Sequence, residues 1–180
     1  MCYPSRRTVF FENIYGADSN DRKQRVRSKA APFTLDDVEP LQAKVFHLGS
    51  LLADDFSPEV VEALADKGTV SIDAQGYLRE VVGEEVRPVE WKDMSRVLRA
   101  TGILKLNESE MQTVVGSNDP YEVGKKLAAC GVDEVVMTLG SYGSVIYAGG
   151  KAYDIPAYKP KKLVDATGCG DTFSTGYLLL

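Results

Sequence analysis

Histidine is almost missing from this chain: His47 is the only one in 180 residues. The three cysteines, Cys2, Cys130 and Cys169, show no C-x-x-C spacing. Without that spacing and with a single histidine, a structural zinc site is not expected. An odd cysteine count without a signal-like apolar stretch points to a reducing, cytoplasmic setting. No apolar run approaches the length of a membrane span, so no membrane partner is expected. Nor is there a basic arm. Net charge is −5, and Arg22, Lys23, Arg25, Arg27 and Lys29 mostly alternate, as on one face of a strand. A nucleic-acid partner is therefore not expected. Three phosphate and nucleophile signatures are absent as well. There is no G-x-x-x-x-G-K-[ST] and no G-x-S-x-G, and Phe173 stands where G-x-G-x-x-G needs its third glycine. No internal repeat or low-complexity tract is visible.

What is present describes an ordinary globular chain: 44% hydrophobic, 26% charged, and long enough to bury a core. Residues 8–15 and 22–28 read as two strands of a partly exposed hairpin around the turn-rich GADSND. From Pro32 helices and strands alternate. Helices are expected over 34–42, 57–68, 89–100, 107–116 and 119–131. Ser57-Pro58 and Asp119-Pro120 supply a cap and a first-turn proline, and Glu122 stands at the capping-box position. Strands are expected over 44–51, 69–76, 102–106, 133–140, 144–150 and 151–156, with His47 as a core residue. This rhythm implies an α/β fold, a three-layer sandwich around a mostly parallel sheet, with a small β lid. The expected domains are a hairpin segment, 1–31, and an α/β core, 32–180. Ligands bind such sheets beyond the carboxyl ends of the strands. Asp73, Gln75, Asn107, Glu110, Gly140, Ser141 and Gly143 all fall there.

The most informative stretch is VDATGCGDTF, residues 164–173. Two glycines beside a helix start can aim successive N–H groups into one concavity, and the helix adds its positive end. A carboxylate at Asp171 then suits proton removal from a nucleophile attacking a bound phosphate. Taken alone, the motif reads equally as a glycine-rich turn with a favourable first-turn aspartate. Asn107 with Glu110 reads equally as a plain capping box.

LNESE, TLGSYG and DATGCGDTF, in that order and on that rhythm, resemble the ribokinase-like (PfkB) carbohydrate kinases over nearly the whole chain. Ala166 replaces the hydroxyl residue usual after the first aspartate of the last motif, and Cys169 the small residue between the glycines. The resemblance implies ATP-dependent phosphorylation of a sugar or polyol hydroxyl. Asp171 would be the general base, and Gly168, Cys169 and Gly170 the anion hole. It further implies nucleotide binding by Asn107, Thr138, Gly140, Ser141 and Gly143, and magnesium at Asn107 and Glu110. In some members a monovalent cation such as K+ sits where Asp165 and Thr167 fall. Asp73, Gln75 and Arg79 match the pattern that some members set against the acceptor. Through the resemblance the hairpin becomes a lid and a homodimer contact. Two rivals stand beside this reading: a nucleoside kinase of the same family, and a non-catalytic fragment that associates through its hairpin. Family members carry a further α/β segment before the lid and more chain after the last motif. The expectation is therefore that these 180 residues alone have weak or no activity and self-associate.

Overall fold

The computed structural model describes residues 7–15, 22–161 and 167–179. Among them the strands form two sheets. The larger is built from β3 (Val45–Leu48), β4 (Thr69–Asp73), β7 (Ile103–Asn107), β8 (Glu134–Thr138), β9 (Ser144–Ala148) and β10 (Lys151–Ile155), in the order β10-β9-β8-β7-β4-β3. β3, β4, β7 and β8 are parallel neighbours, and β9 and β10 add an antiparallel hairpin. The smaller sheet, order β1-β2-β6-β5, pairs β1 (Phe10–Tyr15) and β2 (Arg22–Ser28) with β6 (Glu85–Pro88) and β5 (Arg79–Val82). This is an α/β fold.

Each helix starts where its sequence offers a cap. Thr34 and Asp37 close a capping box on α1 (Leu35–Val38). Ser57 accepts from Val60 N–H at the head of α2 (Pro58–Ala65). Asp119 accepts from Tyr121 N–H at the head of α5 (Pro120–Ala129). Glu122 does not complete a box there; it binds the Ser117 hydroxyl and Lys126. α3 (Met94–Arg99) is shorter than the expected 89–100 helix. Asp93 takes φ 54°, a left-handed conformation uncommon outside glycine, so no helix can run through it into Met94.

Side chains alternate across a strand, so each sheet face has its own chemistry. On one face Phe46, Leu48, Val70, Ile72, Leu104, Leu106, Val135 and Met137 are buried in one apolar core. α2, α4 and α5 pack against the sheet strands and α3 against α2. The other face carries His47, Ser71, Asp73, Lys105, Asn107, Glu134 and Thr138, in register across the parallel strands. α6 (Cys169–Leu178) meets this polar face: Tyr177 donates its hydroxyl to Glu134 at 2.6 Å. His47 is therefore not a core residue. It sits on the polar side of edge strand β3, exposed, with Nδ1 3.2 Å from Ser71 Oγ. Partial enclosure of its ring lowers its pKa.

Candidate active site

A cleft of about 770 Å³ opens where the carboxyl ends of β4, β7 and β8 meet the start of α6 and the small sheet. It is the place a parallel sheet reserves for ligands. One wall is the first turn of α6. Gly168 is its N-cap, with φ 78°, a conformation that strains any side-chain-bearing residue. The first intrahelical bond runs from Thr172 N–H to Gly168 O, 2.9 Å. The N–H groups of Cys169, Gly170 and Asp171 lie ahead of it in the turn, where a helix leaves its donors without intrahelical acceptors. Gly168 supplies no side chain to cap them. Gly168, Cys169, Gly170 and Asp171 all line the cleft, as does Thr167.

Facing this turn is the head of α4 (Glu108–Val115). Here the capping box is fully formed. Asn107 Oδ1 accepts from Glu110 N–H at 3.0 Å and from the Ser109 hydroxyl at 2.8 Å. Glu110 Oε2 accepts from Asn107 N–H at 2.8 Å, and its Oε1 from Asn107 Nδ2 at 2.7 Å. Glu110 is buried, and burial pushes its carboxyl pKa up while the Asn107 N–H pulls it down. A buried carboxylate beside a side-chain carbonyl is the hard oxygen set that magnesium takes. The donor chemistry therefore fits magnesium, and the same geometry also fits capping. Among the described residues no cluster of three or more His, Cys, Asp or Glu forms a dedicated metal centre. Asp165, expected beside Thr167 at a monovalent-cation site, lies outside the described residues.

A third wall comes from the turn between β8 and β9. Thr138, Gly140, Gly143 and Ser144 line the cleft, and Leu139 N–H bonds Gly143 O at 2.8 Å. Gly143 has φ 106°, and a Cβ there would stand 2.1 Å from Ile155 O. The turn thus admits no other residue without moving β10. Ser141 is exposed on this turn and is not among the lining residues.

Asp73, Gln75 and Arg79 line the cleft from the end of β4 and the start of β5, with Phe11 and Gln24 from the small sheet beyond them. Asp73 is already engaged. Its Oδ2 takes Lys105 Nζ at 2.6 Å, and its Oδ1 accepts from Gln75 N–H at 3.3 Å. Sequence reasoning missed several lining residues, among them Phe11, Gln24, Glu108, Ser144 and Lys105, of which Lys105 is the buried charge. The available signal was a lone lysine inside the apolar run of a central strand, Ile103-Leu104-Lys105-Leu106.

Residues 17–179 match the pfkB family of carbohydrate kinases. A cytidine kinase from Thermococcus kodakarensis is 28% identical over 142 residues, covering 78% of this chain and 48% of that protein. A nucleoside kinase from Methanocaldococcus jannaschii is 30% identical over 96 residues, 53% of this chain and 31% of that protein. This chain thus spans a third to a half of these curated relatives. Among solved structures, a pyrophosphate-dependent kinase of the ribokinase family, complexed with a pyrophosphate analogue and myo-inositol, superposes with a TM-score of 0.85 at 26% identity. That superposition covers 97% of this chain and 61% of the neighbour. Motifs, fold and the match over 17–179 lead to one conclusion: the chain belongs to the pfkB family of carbohydrate kinases.

Proposed function

We propose that this chain transfers a phosphoryl group from ATP to a hydroxyl of a small sugar or polyol. The observation that carries the reading is the first turn of α6, whose N-cap Gly168 brings no side chain to cap it, set in one cleft with Asp171 and the Asn107–Glu110 pair. Phosphoryl transfer needs little covalent help from protein; it needs alignment and stabilisation of charge. The Cys169, Gly170 and Asp171 N–H groups and the helix dipole would hold the charge on the transferred group. Asp171 would orient the acceptor hydroxyl and take its proton as the new O–P bond forms. Magnesium, held by Glu110 and Asn107 through water, would neutralise donor phosphate charge. Gln75 and Arg79, on the small-sheet side, would meet the acceptor, and Thr138, Gly140 and Gly143 the donor. Ser141 belongs with them only through the turn it helps to form. Thr167, with Asp165, is the candidate for a monovalent cation. The small sheet would act as the lid.

The curated relatives named nucleoside and cytidine kinases support a second reading, a nucleoside acceptor. The pyrophosphate-dependent neighbour makes pyrophosphate a rival donor. One assay separates these. The chain is mixed with ATP or pyrophosphate and with myo-inositol, hexoses, pentoses or nucleosides, and phosphorylated product is followed by 31P NMR. Product from a sugar or polyol with ATP supports the proposal, and product only from nucleosides moves it to the second reading. No acceptor-dependent product with either donor favours the non-catalytic alternative.

A further inference from the structure

Three buried side-chain atoms have no hydrogen-bond partner among the described residues: Ser50 Oγ, Tyr77 OH and Trp91 Nε1. Buried polar groups are nearly always paired, so each orphan asks for a reason. Two of the three stand together. The rings of Tyr77 and Trp91 stack with centroids 4.5 Å apart, and the two residues are 3% and 7% exposed. Both line a second cavity, of about 410 Å³, between the head of α2, strand β5 and the connection from β6 to α3. Pockets that hold small molecules span roughly 300 to 1,000 Å³. This one has no part in the function argued so far. Of its lining, only Arg79 is shared with the active-site cleft.

The lining narrows the class of ligand. An indole N–H can only donate, and a phenol donates or accepts. The occupant therefore carries acceptor atoms, and a simple cation does not suit. The rim opposes an anion: Lys29 and Lys92 stand there against Asp54, Glu80, Glu90 and Asp93, and Lys29 is already paired with Asp54. What remains is an uncharged molecule. Its hydroxyls accept from the buried pair and donate to the rim carboxylates, while its C–H faces meet Phe56, Val81 and Val89.

We propose that this cavity is a second binding site, for an uncharged polyhydroxylated molecule of hexose or cyclitol size, anchored by Tyr77 OH and Trp91 N–H. Neither atom is open to solvent, so the wall that carries Trp91 gives way on binding. That wall, residues 89–93, is neither helix nor strand and ends on the left-handed Asp93. The site does not depend on the phosphoryl-transfer reading.

Trp91 is the only tryptophan in the chain, so its indole N–H gives one self-assigned 1H–15N cross-peak. The test is titration of the chain with myo-inositol and with glucose, and the expected result is a saturable shift of that peak. Tyr77→Phe keeps the ring stack and removes the hydroxyl. It weakens the binding read at the peak by at least ~5-fold, the scale of one neutral hydrogen bond. Without ligand it melts at or above the wild-type temperature, because an unpaired buried group is gone. A peak unmoved by about 50 mM of either probe, well into the range of millimolar sites, overturns the inference. So does a shift with an unchanged midpoint in Tyr77→Phe, which would be relayed from the cleft through Arg79. A Tyr77→Phe chain that melts well below wild type overturns it too, since the hydroxyl would then have a structural partner such as water. Acceptor-dependent turnover with an unmoved peak would defeat this inference and leave the kinase reading standing. A saturable shift in a chain without turnover would do the reverse.

Discussion

Glu110 is a cap by observation and a magnesium ligand by proposal. It closes the α4 cap through both oxygens, and its burial makes the charged form expensive. In Glu110→Gln one Asn107 donor faces the new amide N–H and loses its acceptor, costing ~1 kcal/mol. Removing a buried charge offsets that loss. The expected result is little change in Tm at pH 7 and a raised magnesium requirement for turnover. A large fall in Tm with unchanged magnesium dependence would make Glu110 a cap alone. The raised pKa also has a sign. A buried acid favours its protonated form in the fold, so the cost of its charge is present above the folded pKa and fades as pH falls through it. The Tm difference between wild type and Glu110→Gln therefore moves in favour of wild type as pH drops through that range. Cys169 gives the opposite case. Its side chain is exposed, and the turn needs only its N–H. Cys169→Ala should leave donor binding and turnover within about twofold of wild type, measured by the same assays.

Among the elements, α2 and α3 are joined by a charge network. Arg96 reaches Glu59 at 2.5 Å and Glu62 at 2.6 Å. The Glu59 carboxyl is held down at about 2, first by a backbone N–H and then by Arg96. Glu62 is lowered by Arg96. A depressed carboxylate pKa contributes stability above its unfolded value, and that stability is lost as pH falls toward the folded one. Arg96→Met should lower Tm at pH 7, with the deficit closing between about pH 4.5 and 2 as both glutamates protonate. A deficit independent of pH would mean that only the stem of Arg96 matters.

The elements also show what was legible in advance. Strands with plain apolar periods and helices with a cap and a proline were readable, because those signals are local. The α/β class followed from their alternation. The β5–β6 hairpin was not read. Its strands are four residues each, mixed in polarity around Gly83, and β6 is joined to β2 only by tertiary pairing. Residues 89–93 were over-read as helix, because the left-handed backbone of Asp93 leaves no mark in the sequence. The glycine turn and the Asn107–Glu110 pair were legible as motifs. Lys105 was hidden, since its meaning depends on the β4–β7 register that sets it opposite Asp73.

For the whole molecule, the small sheet leaves apolar side chains in solvent: Phe10 is 57% exposed and Ile14 39%. Edge strands with exposed apolar side chains invite pairing with another chain. Sedimentation of the chain should show self-association that weakens in Phe10→Glu combined with Ile14→Lys. A wild-type monomer at all concentrations would remove the small sheet as a dimer contact. The deeper claim concerns the cleft: the start of α6 is a phosphoryl-transfer site with Asp171 as its base. It is tested most directly by comparing acceptor-dependent turnover of the wild-type chain and Asp171→Asn, with donor binding measured on the same samples. The account predicts turnover lowered by roughly 10²- to 10⁴-fold in the variant, the range for a general base, with donor affinity nearly unchanged. Near-normal turnover in Asp171→Asn would contradict it, as would a wild-type chain that binds donor and never consumes it when acceptor is present.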